Sequence, residues 1–205
     1  ANDEILSAVA GFDFHRGAIA IARRPEPVSL EHVLACPAPP QTIVVLPDTT
    51  NVENLGAIFR SAAALGVDTI LLGEQCCDEF ARRTLRVSMG AALKLTLVRS
   101  GALRDDLNAL REAGYSLAAT VLDPAADDLA AFTPAGKTAL LFGSEADGLA
   151  EEWIQLADHR LTIPMAEGTD SLNLAAAAVI ALWHVRTQQS QKNTIKIEAA
   201  ATHKD

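Results

Sequence analysis

Apolar runs four or five residues long recur along this chain, separated by longer stretches in which apolar positions return every three or four residues. Short unbroken runs suit strands buried on both faces, and the longer period suits helices that pack by one face. Strands are therefore expected at 42–46, 69–72, 95–98, 116–120, 138–142 and 160–163, and helices at 54–65, 78–88, 101–113, 149–157 and 172–189. Their alternation predicts an α/β fold, a mostly parallel sheet with helices on both faces.

The ends of the chain read differently. Residues 1–40 hold a short helix, a strand-like stretch at 18–22 and a helical turn around 29–35, and form an N-terminal extension that fits the remnant of a substrate-binding domain. The first residue is Ala, and 11–24 read as the end of a strand-containing unit, as expected of a piece of a longer protein. Three prolines in Cys36-Pro-Ala-Pro-Pro40 make an extended linker. Residues 41–190 are expected to be the main domain, and 191–205 to be a frayed tail without a clear period.

Composition narrows the class. With 205 residues, 49% of them hydrophobic, the chain can bury one substantial core. Its longest apolar run, 174–183, is far too short to span a bilayer, and nothing at the start reads as a secretory leader, so no membrane partner is expected. Cys36, Cys76 and Cys77 are odd in number and lack zinc spacing, which fits reduced thiols in a cytoplasmic protein and no metal site. A formal charge of −9 argues against non-specific nucleic-acid binding, DNA included. The acidity is uneven, since residues 1–100 carry 9 basic and 11 acidic groups, and 101–205 carry 8 and 15.

Candidate chemistry lies at three strand-to-helix junctions, where α/β proteins build ligand sites. In Asn54-Leu-Gly-Ala-Ile-Phe-Arg60 the apolar residues share one helical face while Gly56, Arg60 and Ala63 share the next, leaving room to approach the Arg60 guanidinium. Taken alone, Asn54 could be a helix cap and Arg60 a solvated arginine. Gly143-Ser-Glu145 follows a strand and is followed by Gly148. The spacing invites comparison with a phosphate loop, but Leu149 and Ala150 stand where Lys and Ser or Thr are needed, and no G-x-G-x-x-G occurs. The third segment, Ile163-Pro-Met165 through Ser171-Leu-Asn173, leaves a strand and enters an alanine-rich helix, with Ser171 as the expected cap and a largely buried helix beyond it.

Together, in this order, the three segments resemble the SpoU family of RNA ribose 2'-O-methyltransferases of the SPOUT superfamily, over about residues 42–186. The resemblance implies a C-terminal trefoil knot, which no periodicity could suggest because true knots are so rare. It implies S-adenosylmethionine as cofactor, with Gly143, Ile163 and Leu172 in contact with it and Met165 adding an apolar wall. Asn54, Arg60, Glu145, Ser171 and Asn173 become the expected catalytic set. Where the family often shows Asp-Pro, this chain has Asn51-Val52, so that aspartate's role has no counterpart here.

A guanidinium is a poor proton acceptor near neutrality. Arg60 is accordingly expected to neutralise the phosphate and the developing alkoxide, positioned by Asn54 and Ser171, with Glu145 as the alternative proton acceptor and Asn173 aligning the hydroxyl. Arg82, Arg83 and Arg86 form a basic cluster for RNA contact, against the alternative of a solvated helix balanced by Asp78 and Glu79. The expected partners are rRNA or tRNA and a second copy of the chain, a homodimer in which Arg60 serves the other copy's cofactor. The rival reading is a catalytically inactive dimeric RNA-binding or assembly module, which would have no need of all five polar residues.

Overall fold

The computed structural model describes residues 3–11, 20–169 and 171–202. Seven strands, β1 (Thr42–Leu46), β2 (Thr69–Leu72), β3 (Thr96–Arg99), β4 (Ser116–Thr120), β5 (Asp127–Asp128), β6 (Thr138–Leu141) and β7 (His159–Thr162), form one sheet in the order β3-β2-β1-β6-β4-β7-β5. Every pair is parallel. All strands therefore end on the same edge, and β6 returns to insert between β1 and β4, gathering the loops after the central strands into one place.

The continuous apolar strands bury both faces. On one side, Val44, Leu46, Ile70, Leu72, Leu140 and Phe142 meet Leu55, Ile58, Phe59 and Ala62 of α3 (Val52–Ala64) and Ala178, Ala181, Leu182 and Val185 of α7 (Leu174–Thr202). On the other side, Ile43, Val45, Leu71, Leu117, Ala119 and Leu141 meet Leu103, Leu107 and Leu110 of α5 (Leu103–Glu112), with α2 (Leu30–Leu34) and α6 (Glu151–Leu156) alongside. α1 (Asp3–Ala10) and α4 (Arg82–Val87) complete the helices.

Several expectations are corrected. The cap of α3 is Asn51, whose side chain accepts the backbone N–H groups of Glu53 and Asn54, so Asn54 lies inside the helix. The helix expected over 78–88 shrinks to α4, because the Asp78 carboxylate accepts the Phe80 N–H and holds a turn there instead. The two-residue β5 has no apolar signal to betray it. α7 continues to Thr202, through the stretch expected to fray, where Gln, Lys, Glu and Ala favour a helix. Its apolar start is buried on one side only, since Val179 and Ile180 are partly exposed and Trp183 is 58% exposed. The strand-like stretch at 18–22 lies partly outside the described residues, and its remainder, 20–22, is irregular.

Candidate active site

Three loops at the C-terminal edge of the sheet enclose a cavity of about 550 Å³. The loop after β6 supplies Gly143 to Leu149, the loop after β7 supplies Ile163, Met165 and Ser171 to Asn173, and the end of β4 and its loop supply Thr120 to Leu122. Gly143, Ile163, Met165 and Leu172, the four expected cofactor residues, all line it, as do Glu145, Ser171 and Asn173. The wall from β4 is unannounced in the sequence, because a short apolar run says nothing of its neighbours. Only the sheet order, with β4 between β6 and β7, places it here.

Gly143 is required by its own loop. The chain doubles back through a pair of hydrogen bonds, Ser144 N–H to Gly148 O at 2.9 Å and Gly148 N–H to Ser144 O at 3.2 Å. A Cβ at Gly143 would lie 2.1 Å from both the Gly148 carbonyl carbon and the Leu149 nitrogen. No side chain fits that gap. The glycine thus lets the loop close behind it and turns bare backbone toward the cavity.

Two lining residues, Glu145 and Asn173, are joined through Asn54 in a directional chain of polar side chains. Asn173 Oδ1 accepts the backbone N–H groups of Ala175 and Ala176 at 2.9 and 3.3 Å, which makes Asn173, and not Ser171, the cap of α7. With its oxygen committed, Asn173 donates from Nδ2 to Asn54 Oδ1 at 2.9 Å. Asn54, only 8% exposed, then donates from Nδ2 to Glu145 Oε1 at 2.6 Å. The α7 cap fixes both amide orientations, and Glu145 receives a short charge-assisted bond on one oxygen while its other oxygen takes no bond from a described residue.

Arg60 stands apart. It lies on the exposed side of α3, outside the cavity lining, and holds no hydrogen bond or ion pair with a described residue. Ser171 borders the cavity but is joined to neither Asn54 nor Arg60 by a hydrogen bond, so the expected Asn54, Ser171 and Arg60 grouping is not assembled within one chain. Arg82, Arg83 and Arg86 lie exposed on α4, which packs on α3 where Gly56 meets Thr84 and Val87. Arg83 is paired with Glu53, next to Asn54 in sequence.

The surroundings are acidic. Burial first, then the charges of Glu145 and Asp147, push the Asp48 carboxyl above its ordinary range, and its Oδ1 is buried without a hydrogen-bond partner. Burial also raises the Cys76 thiol to about 11 and the neighbouring Cys77 upward, so neither is an activated nucleophile. Arg99, at the end of β3, braces this side by donating to the carbonyls of Gly73, Cys76 and Cys77 and pairing with Glu79. Among the described residues no cluster suits a metal ion, and no helix is long and apolar enough to cross a membrane.

The sequence profile of the SpoU rRNA methylase family matches residues 41–183. An uncharacterized tRNA/rRNA methyltransferase of Mycobacterium bovis is 40% identical over 187 residues, which cover 89% of this chain and 64% of that protein. The chain thus spans less than two thirds of that relative's length. A 23S rRNA (guanosine-2'-O-)-methyltransferase, RlmB of Ralstonia nicotianae, is 29% identical over 191 residues, 93% of this chain and 76% of that one. The AdoMet-bound rRNA methyltransferase from Sinorhizobium meliloti superposes with a TM-score of 0.76 at 28% identity, over 91% of this chain and 70% of that chain.

Proposed function

Because this chain belongs to the SpoU rRNA methylase family, we propose that it transfers a methyl group from S-adenosylmethionine to a ribose 2'-hydroxyl of rRNA or tRNA. The observation that carries this reading is the convergence of the second and third motifs on one cavity, joined to the first by the hydrogen-bonded chain from Asn173 through Asn54 to Glu145. The cavity's size suits a nucleoside cofactor, and its walls pair apolar side chains, Leu122, Ile163, Met165 and Leu172, with the bare backbone of the Gly143 loop.

When bound, the cofactor supplies an electrophilic methyl group. In this reading Glu145 manages the proton. With Oε1 held by Asn54, its free oxygen would accept the proton that leaves the ribose 2'-hydroxyl on methylation. Asn54 and Asn173 act on that carboxylate as positioning residues, a different division of labour from the one expected from sequence. Arg60 contributes charge toward phosphate and alkoxide.

A homodimer completes this reading. Arg60 is unpaired on α3, Val179, Ile180 and Trp183 of α7 are exposed, and Arg186 ties α7 to the end of α3 by donating to Ala64 O. A second copy covering these residues would bring Arg60 to the partner's cavity. The trefoil knot, the RNA substrate class and cytoplasmic work are parts of the same proposal. The test is to map ribose methylation in total RNA from cells with and without the gene, and then to place a single 2'-deoxy substitution at the modified nucleotide. Loss of one methylated ribose, and a block by the substitution, are expected. Methylation that survives the substitution would put the methyl on a base and defeat the reading.

A further inference from the structure

The chain has two methionines, and they are used in opposite ways. Met165 lines the cavity, whereas Met89, just after α4, is 74% exposed. Met89 also has φ of 53°, in the left-handed region that favours glycine, and is the one non-glycine residue with positive φ among the described residues. The turn that holds it is fully bonded: Met89 N–H reaches Arg86 O at 3.2 Å, Gly90 N–H reaches Leu85 O at 3.0 Å and Ala91 N–H reaches Ser88 O at 3.0 Å. A long apolar side chain therefore occupies an unfavourable backbone position with little packing inside the chain to reward it. Leu93, four residues on, is 65% exposed.

The charge around this tip is positive. Three carboxylates lie near α4 in sequence or space, and each is already paired with an arginine: Glu53 with Arg83, Asp78 with Arg24 and Glu79 with Arg99. Asp78 is held in addition by a two-point contact, Arg24 Nη1 and Nη2 at 2.9 and 2.6 Å, which lowers its carboxyl range. These acids are committed elsewhere, so they do not neutralise Arg86 or Lys94, neither of which pairs with a described residue. On a chain with net charge −9, this leaves an uncompensated basic patch with an apolar tip, one helix away from Asn54.

We propose that the turn after α4 binds a single-stranded stretch of the substrate RNA, with Met89 and Leu93 packing on an unpaired base while Arg86 and Lys94 hold the flanking phosphates. The inference rests on the RNA-methyltransferase reading above. RNA suits this surface better than protein does because polyanionic backbone answers the positive excess, and an unpaired base offers the flat apolar face that a flexible thioether can cover. A duplex hides its bases and would use the cations alone.

The test measures binding of the full chain to a fluorescein-labelled single-stranded RNA of about 16 nucleotides, and to its duplex, across a salt series. Met89→Ser with Leu93→Ser is expected to weaken single-strand binding about tenfold, with duplex binding and the salt slope unchanged. Arg86→Gln and Lys94→Gln should each reduce the salt slope by about 0.7. Met89→Gly is the second variant, since it removes the side chain while suiting the left-handed backbone, and it should weaken single-strand binding without lowering thermal stability. Equal binding by wild type and the double variant overturns the proposal. So does a loss that tracks a change of oligomeric mass in light scattering, which would make the tip a contact between copies. A wild-type chain that neither binds RNA nor methylates it sinks the functional reading itself.

Discussion

Asn54 and Arg60 stand six residues apart in one helix and face opposite circumstances. Asn54 is buried, and both ends of its amide are bonded, one to the α7 cap and one to Glu145. Arg60 is exposed, lies outside the cavity lining and holds no described partner. On the proposed function, the difference separates two kinds of residue. Asn54 is satisfied by its own chain, so the fold itself holds the carboxylate in place. In the proposed function Arg60 has work only when something else arrives, whether a phosphate or a second copy.

The largest effect should come from closing the cavity wall. Gly143→Ala places a Cβ against the chain's own backbone, so melting temperature should fall by about 5–10 °C and calorimetry should detect no cofactor binding. An alanine variant as stable as wild type would show that the loop can open, and would weaken the account of the site. Arg60→Ala should cut methyl transfer by about a hundredfold or more, while cofactor affinity stays within about threefold and stability within about 0.5 kcal/mol. A large loss of stability there would mean that Arg60 is structural and erase its contrast with Asn54.

Asn54→Ala reverses that pattern. It leaves Glu145 and Asn173 without their shared partner, so denaturant unfolding should show a loss of about 1–3 kcal/mol together with reduced turnover. The smallest effect concerns pH. Asp48 has a raised carboxyl range in the fold, so the stability linked to it is full below the unfolded-state value near about 4 and is lost as pH rises through the raised value. Asp48→Asn should therefore increase melting temperature at neutral pH, and the gain should vanish in acid. A gain that did not depend on pH would place its cause in packing instead of charge.

Much of the architecture was legible from apolar pattern alone. β1, β2 and β4 coincide with the expected runs because strands buried on both faces are unbroken apolar segments bounded by polar ones. Legibility stopped where side chains compete with backbone. Asn51, Asn54, Ser171 and Asn173 are all credible caps by residue type, and only three-dimensional pairing selects Asn51 and Asn173. Likewise no pattern foretells that Thr120 to Leu122 wall the cavity, because strand order depends on contacts between distant segments. The apolar start of α7 suggested burial on most of its circumference, and the structure leaves Trp183 in the open.

Asn173 both starts a helix and steers a carboxylate, and these duties tolerate different replacements. The first needs only an oxygen, which Asp, Ser or Thr can supply. The second needs the amide nitrogen as well. Asn173→Asp should thus keep the start of α7, at a smaller cost in stability than Asn54→Ala, and fail a screen for activity. A library sorted by stability alone would fill this position with inert survivors, and the residue that looks most replaceable at the head of α7 would be the one that such sorting misjudges.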